Sequence, residues 1–492
     1  MAGGPAGGDA RLADTVLVSN RGPLAFHLED GRPVAGKAAG GLAGTLAPMV
    51  LGTGATWVAS AMDDADRQAV ADGLMTAPGL RVELVEPDPD VYNLAYNVVS
   101  NGALWFCHHH LFDAPRRPRN DRYWGAAWDA YRELNQQFAA RVAKVAPEGG
   151  RVLVQDYHLT LLGSELAGLR PDLRTAHFTH TPFADPAVLR MLPSGTTSDL
   201  LVGMAGFSAC GFHTDRWAAA YRRAQAELGS WSAAGRGSGA ALRHGVLAGV
   251  GTAGAEAPPT FVSPLAPDAD HLLQAVREES VVAARRQLDE LVGDDGRQIV
   301  TRVDRMELSK NLLRGFWAFE ELLESDRRLL GRVVFLAMAY PTRQDLPEYV
   351  GYRKEVESTV ARINERWATP GWTPIVLDVE DDYPRSLAAL TRSDVLMVNP
   401  VRDGLNLVAK EGPLVNERDG VLLLSREAGA YDELVGPAIE LNPFDVSGTA
   451  AALARALAME PDERARRAAA LRQVVTSRRP ADWLADQLRA AG

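Results

Sequence analysis

Charged and amide residues recur in this chain where apolar runs stop. Asn20, Arg21 and Gly22 follow TVLV, with Gly40 and Gly41 opening a small-residue segment nearby; Asp156 and His158 close RVLVQDYH, and His180 closes TAHFTH. Further along, Arg305 and Lys310 follow VTRVD, Arg343 follows FLAMAYPT, and Asp403 and Glu411 lie in NPVRDGLNLVAKEG directly after VLMV. One such residue alone reads as a helix cap or a satisfied core polar group. Recurrence at strand after strand describes a site with fixed cations, backbone donors at a helix start and several carboxylates. Cations and helix-start amides suit a diphosphate. Carboxylates suit the hydroxyls of a sugar or a ribose.

The elements that must position these groups follow from the hydrophobic pattern. Short apolar runs alternate with helical periodicity, as in a parallel α/β sheet. In the first half TVLVSN (15–20), ATWVAS (55–60), ALWFCHH (103–109), RVLVQD (151–156) and TAHFTH (175–180) read as strands, and 123–146 as one long helix. Residues 229–264, rich in Gly, Ala and Ser, read as an irregular segment at a domain boundary. The pattern restarts at RQIVTRVDR (297–305), RVVFLAMAYP (332–341), TPIVLDVE (373–380), DVLMVNP (394–400), GVLLLSRE (420–427) and AIELNP (438–443). The expected fold is α/β, with two Rossmann-like domains facing across a cleft and ligands at the carboxyl ends of the strands. The expected division is a flexible tail over 1–14, an N-terminal domain over 15–258, a second over 259–470, and a C-terminal helix over 471–492 packing back on the first.

Composition narrows the function. A chain of 492 residues exceeds one core. A net charge of −11 offers no basic stripe for nucleic acid. Cys107 and Cys210 are too few for a disulfide framework and fit a reducing cytoplasm. The start MAGGPAGGDARLAD lacks the regions of a signal peptide, and no apolar run approaches the ~20 residues that span a bilayer. The expectation is a cytoplasmic enzyme of small molecules, with neither nucleic acid nor membrane as partner and with room for a homo-oligomer.

Two motifs mislead. GRPVAGK (31–37) has phosphate-loop spacing, but Ala38 stands where a hydroxyl should hold magnesium. His108, His109 and His110 have no second ligand cluster at a recognisable spacing, so no metal site is expected. Neither a dinucleotide fingerprint after a strand nor a nucleophile elbow is present.

Taken in order, VSNRGP (18–23), AGGLAGTL (39–46), YNVVSNGALWF (96–106), VQDYHL (154–159), HFTHTPF (177–183), VDRMELSKNL (303–312), RDGLNLVAKE (402–411) and ELNPFD (440–445) resemble the trehalose-6-phosphate synthase family, retaining glycosyltransferases of the GT-B type. The resemblance implies glucose transfer from a nucleotide diphosphate to glucose-6-phosphate, giving α,α-trehalose-6-phosphate in trehalose biosynthesis. Position by position, it implies that Arg305 and Lys310 grip the donor diphosphate and offset leaving-group charge without a metal or other cofactor. Gly40 and Gly41 would let backbone approach the diphosphate. Asp403 would accept donor-glucose hydroxyls, Gly404, Leu405, Asn406, Leu407 and Val408 would present the helix start, and Glu411 would hold the ribose diol. Arg21, Tyr96, Trp105, Asp156 and Arg343 would bind the acceptor, and His180 would lie near the donor glucose. Front-face attack needs no glycosidase-like carboxylate pair.

The chain departs from the family in places. Glu307-Leu308-Ser309-Lys310-Asn311 stands where DYSKG is common, Leu405 where Met is, and Pro413 falls inside an expected helix, which it should kink or end. Glu380, Asp381 and Asp382 lie where the resemblance puts the base-binding wall. A carboxylate accepts both edge donors of guanine, which favours GDP-glucose over UDP-glucose. Rival readings are a pseudo-glycosyltransferase joining a cyclitol phosphate, against which Asp156, His180 and RDGLNLVAKE weigh, and a non-catalytic nucleotide-sugar sensor, against which Arg305, Lys310 and Asp403 weigh.

Overall fold

The computed structural model describes residues 12–35, 42–74, 76–229, 257–293 and 296–492. Contacts divide the chain into Met1–Ser263 with Ala481–Gly492, and Pro264–Pro480.

The strands of the first unit are β1 (Thr15–Val18), β2 (Phe26–Glu29), β3 (Arg32–Ala35), β4 (Thr56–Ser60), β5 (Thr76–Ala77), β6 (Leu80–Val85), β7 (Arg151–Gln155), β8 (Arg174–Thr179), β9 (Ala209–Phe212) and β10 (Thr260–Val262). Among the described residues one sheet runs β10-β9-β8-β7-β1-β4-β6-β5, parallel except that β5 opposes β6. The chain lays β1, β4 and β6 outward, then returns to the other side of β1 for β7, β8 and β9. This is the Rossmann order, with its reversal between β1 and β7, where such sheets bind ligands at their carboxyl ends. β1 and β4 are buried along their whole length, so TVLV and TWVAS carry no polar alternation. The helix Arg122–Val145 starts where Asp121 accepts from Tyr123 N. It buries Trp128, Tyr131, Leu134, Asn135, Phe138 and Val142 at helical spacing.

The run ALWFCHH is helical rather than a strand. Leu94–Leu104 forms a π-helix that passes into the α-helical turn Trp105–His108. A short, fully buried apolar run does not distinguish helix from strand by periodicity. Gly102 suits the wider turn, since a Cβ there would lie 3.0 Å from Asn97 O. β2, β3, β5, β6, β9 and β10 are strands that the hydrophobic pattern left unassigned. β10 pairs with β9, so the first unit extends through Ser263. The helix Pro461–Val475 packs on Val408–Val415 in the second unit, whereas Pro480–Ala491 belongs almost wholly with the first. The GRPVAGK segment places Arg32–Ala35 in a hairpin antiparallel to β2, unlike a phosphate loop.

The second unit contains β11 (Gln298–Met306), β12 (Val333–Pro341), β13 (Ile375–Asp378), β14 (Val395–Val398), β15 (Val421–Ser425) and β16 (Ile439–Leu441). These are the six strands expected there, and they form a parallel sheet in the order β13-β12-β11-β14-β15-β16. The Rossmann order recurs, with its reversal between β11 and β14. Among the described residues no helix is long and apolar enough to cross a membrane.

Candidate active site

In the first unit the reversal point carries Asn20 after β1 and Asp156 after β7. Asn20 is buried and donates through Nδ2 to Tyr92 Oη at 3.0 Å, while its Oδ1 accepts from Ser60 Oγ at 3.3 Å. Tyr92 and Tyr96 stack with centroids 5.4 Å apart, and Tyr96 stacks in turn with His158 at 5.7 Å. Arg21 is exposed and donates to Tyr96 Oη at 3.4 Å. Trp105, 8% exposed, stacks on His109 at 3.9 Å. Arg21, Tyr96, Trp105 and Asp156 thus belong to one unit and to neighbouring elements.

Asp156 is the strained residue. Its φ of 71° and ψ of 171° fall in a region that is essentially restricted to glycine, and non-glycine residues held there cluster at functional sites. Several bonds hold it: its amide donates to Phe178 O at 2.8 Å, its carbonyl accepts from His177 Nε2 at 3.1 Å and Leu159 N at 3.3 Å, and Oδ1 accepts from His180 N at 3.1 Å. The other bonds of His180 assign its tautomer. Gln155 Nε2 donates to Gln487 Oε1 at 2.9 Å, which leaves Gln155 Oε1 to accept from His180 Nε2–H at 3.0 Å. His213 Nε2–H then donates to His180 Nδ1 at 3.2 Å. Burial, with His177 beside it, pushes His180 down to about 3, so the ring is neutral. Both ring nitrogens are engaged, which suits a fixed apolar wall better than a proton carrier.

In the second unit the reversal point gathers cations and carboxylates. Lys310 Nζ lies 2.5 Å from Asp403 Oδ2, which also accepts from Asn406 Nδ2 at 3.2 Å. Burial disfavours the Lys310 charge, but Asp403, Asp304 and Glu307 outweigh it and raise its pKa, so Lys310 remains a cation. Asn406, at φ 73°, accepts from Ala409 N at 3.2 Å and caps the helix Val408–Val415. That helix contains Pro413, whose ring removes one intrahelical bond, and ends at Val415. Asn311 adopts the left-handed conformation at φ 60°, which explains how asparagine stands where glycine is common in the family. Its Nδ2 donates to Asn399 O at 3.0 Å and Pro443 O at 2.7 Å.

Arg305 Nη2 lies 2.9 Å from Glu307 Oε1, an ion pair by distance rather than an aligned hydrogen bond. Arg343, at φ 50°, donates to Tyr349 Oη at 2.6 Å. Burial pushes Glu411 up to about 7. Of the acidic segment, Glu380 and Asp381 are exposed, whereas Asp382 accepts from Arg385 N at 3.0 Å and caps a helix. Gly40 and Gly41 lie outside the described residues. His108, His109 and His110 face different partners, namely Ala184 N, Trp105 O and Asp185. Among the described residues, no group of three or more His, Cys, Asp or Glu is placed to hold a metal ion.

Several supports escaped the sequence reading. The fully buried Arg302 donates through Nη2 to both Asp304 Oδ2 and Lys310 O at 2.8 Å, fixing the backbone of Lys310. Charges at alternate positions inside an apolar central strand were the available signal. The loop Glu427–Ala430 holds Asp403 and Leu405 by main-chain bonds: Asp403 N to Glu427 O, Gly429 N to Asp403 O and Ala430 N to Leu405 O. A Cβ on Gly429 would lie 2.0 Å from Gly404 O, so glycine is required there.

Two Rossmann-type units in one chain, each with polar groups at its topological switch point, define a nucleotide-sugar transferase of the GT-B class. The chain belongs to glycosyltransferase family 20, whose sequence model matches residues 13–491. It is 32% identical over 486 residues to the trehalose-6-phosphate synthase of Mycobacterium sp. strain JLS, covering 97% of this chain and 96% of that one. It is 31% identical to a bifunctional trehalose-6-phosphate synthase/phosphatase of Thermoproteus tenax, over 83% of this chain, and the match spans about half (53%) of that longer protein. The solved Burkholderia xenovorans UDP-forming synthase in complex with glucose-6-phosphate is 27% identical, with a TM-score of 0.79 over 97% of this chain and 99% of that one.

Proposed function

We propose that this glycosyltransferase moves glucose from a nucleotide diphosphate to glucose-6-phosphate, with retention, forming α,α-trehalose-6-phosphate. The observation that carries the reading is the Lys310–Asp403 pair at the reversal of the second sheet, beside a capped helix start. There a fixed cation can meet leaving-group charge while the carboxylate accepts sugar hydroxyls. Arg305 and Lys310 serve the diphosphate, with Asp403, the main chain of Gly404 to Val408, and Glu411 serving the glucose and ribose. Arg21, Tyr96, Trp105, Asp156 and Arg343 serve the acceptor. Incubating the protein with a nucleotide-glucose and glucose-6-phosphate tests this; absence of trehalose-6-phosphate with every donor would end the reading.

The finer proposal is GDP-glucose over UDP-glucose. It rests on Glu380 and Asp381, since one oxygen of Asp382 is committed to its helix; the UDP-forming name of the Burkholderia relative weighs on the other side. Glu380→Gln or Asp381→Asn is expected to lower the GDP/UDP ratio of kcat/KM by about tenfold in at least one case, the scale of one unpaired polar group. A wild-type preference for UDP-glucose would remove this finer part and leave the rest.

Glu411 makes the donor step pH-sensitive. Its carboxyl takes up a proton as pH falls through about 7, and a protonated carboxyl no longer accepts from both ribose hydroxyls. Donor KM is therefore expected to rise below pH 7 in the wild type and to stay flat in Glu411→Gln. Stability runs the other way: a carboxyl with a raised folded pKa contributes most below its unfolded value and loses that contribution as pH climbs through about 7. Melting should favour Glu411→Gln over wild type at pH 8, with the gap closing by pH 5. A pH-independent donor KM in the wild type would refute the ribose role.

A further inference from the structure

The geometry points to Glu307 as a shared positioning residue, one buried carboxylate that sets two anion-binding guanidinium groups at once. This rests on the reading above, in which Arg305 meets the donor diphosphate and Arg343 the acceptor phosphate. β11 and β12 run parallel in register, with Arg305 beside Tyr340, so the residues just beyond the two strand ends are neighbours. Glu307 follows β11 with its side chain 0% exposed. Its Oε1 lies 2.9 Å from Arg305 Nη2 and 3.9 Å from Arg343 Nη1. Ser309 Oγ donates to Oε2 at 3.4 Å, and the Glu307 carbonyl accepts from Lys310 N at 3.0 Å. Arg343 reaches this carboxylate from a left-handed backbone, with Tyr349 Oη on its Nη1.

Two guanidinium groups this close repel, and a carboxylate withdrawn from water is costly unless cations surround it. Each side of the arrangement therefore needs the other. Arg305 keeps 39% of its side chain exposed and Arg343 11%, so both can still meet a ligand while Glu307 holds them from behind. One residue thereby tunes two substrates, a coupling that neither arginine would produce alone.

The test compares wild type, Glu307→Gln and Glu307→Asp as full chains. Binding of inorganic pyrophosphate and of glucose-6-phosphate is measured separately, alongside donor KM, acceptor KM and thermal melting. Glu307→Gln keeps the shape and removes the charge. Affinity for both anions should fall together by about five- to tenfold, the scale of a lost charge-assisted contact, alongside a lowered melting temperature from the unrelieved repulsion of the two arginines. Glu307→Asp restores the charge one methylene short and should recover both affinities partway. Loss toward one anion alone, or loss of heat stability with both affinities intact, would overturn the inference. If the glutamine variant fails to fold, the aspartate variant carries the same criterion: matched losses support shared positioning, and unmatched losses refute it. A wild type that transfers no glucose overturns the functional reading instead, and pyrophosphate and inorganic phosphate then still report whether the two cations answer to Glu307 together.

Discussion

Lys310→Ala is expected to lower kcat by about two to three orders of magnitude while the protein still folds, because removing one preorganised donor to developing negative charge costs ~3 kcal/mol. Arg305→Ala should fall comparably on the proposal that the two cations share the diphosphate. The structure adds a complication to the lysine variant. Asp403 Oδ2 would keep Asn406 but lose its ammonium partner, so a drop could reflect a misplaced carboxylate instead of a missing cation. A cycle with Asp403→Asn separates the two: if Lys310 served only to hold Asp403, the double variant would be no worse than Asp403→Asn alone, and the expected result is a further loss. Near-normal kcat in both single-cation variants would dismantle the diphosphate clamp.

The second large effect concerns Asp156. Asp156→Gly and Asp156→Ala should each lose about thirty- to a hundredfold in kcat/KM, as expected when a charged hydrogen-bonding group is removed from substrate. Their stabilities should differ. Both lose the bond from His180 N, but only alanine keeps a Cβ at φ 71° and ψ 171°. Strain of this type costs about 1–3 kcal/mol, partly offset by the extra unfolded-state freedom of glycine. The glycine variant should therefore melt a few degrees above the alanine variant. Equal melting temperatures would remove the strain, and retained activity in either variant would remove Asp156 from the acceptor site. An aspartate kept where glycine fits better is what a site under functional demand would hold.

Much of the fold was legible because parallel strands buried on two faces leave unbroken apolar runs. All six strands of the second unit and four of the first stood out for that reason. ALWFCHH failed by the same logic, since burial on all sides erases the period that separates helix from strand. The polar residues at strand ends were visible as types in order, and Arg305, Lys310, Asp403 and Asp156 do sit at the carboxyl ends of strands flanking the two reversals.

By itself, then, the sequence determined the alternating elements, the chemistry available at their ends, and a motif order distinctive enough to name a family. Only the tertiary structure decided which charge meets which. Lys310 and Asp403 are 93 positions apart and come together because β11 and β14 are neighbours in the sheet. Glu307 looked like a family variant until β12 brought Arg343 to the same carboxylate oxygen as Arg305, and the strain at Asp156 shows only in its backbone angles. Propensity and periodicity act over a few residues, whereas ion pairing, strain and burial depend on neighbours supplied by strand order, which the local pattern does not encode.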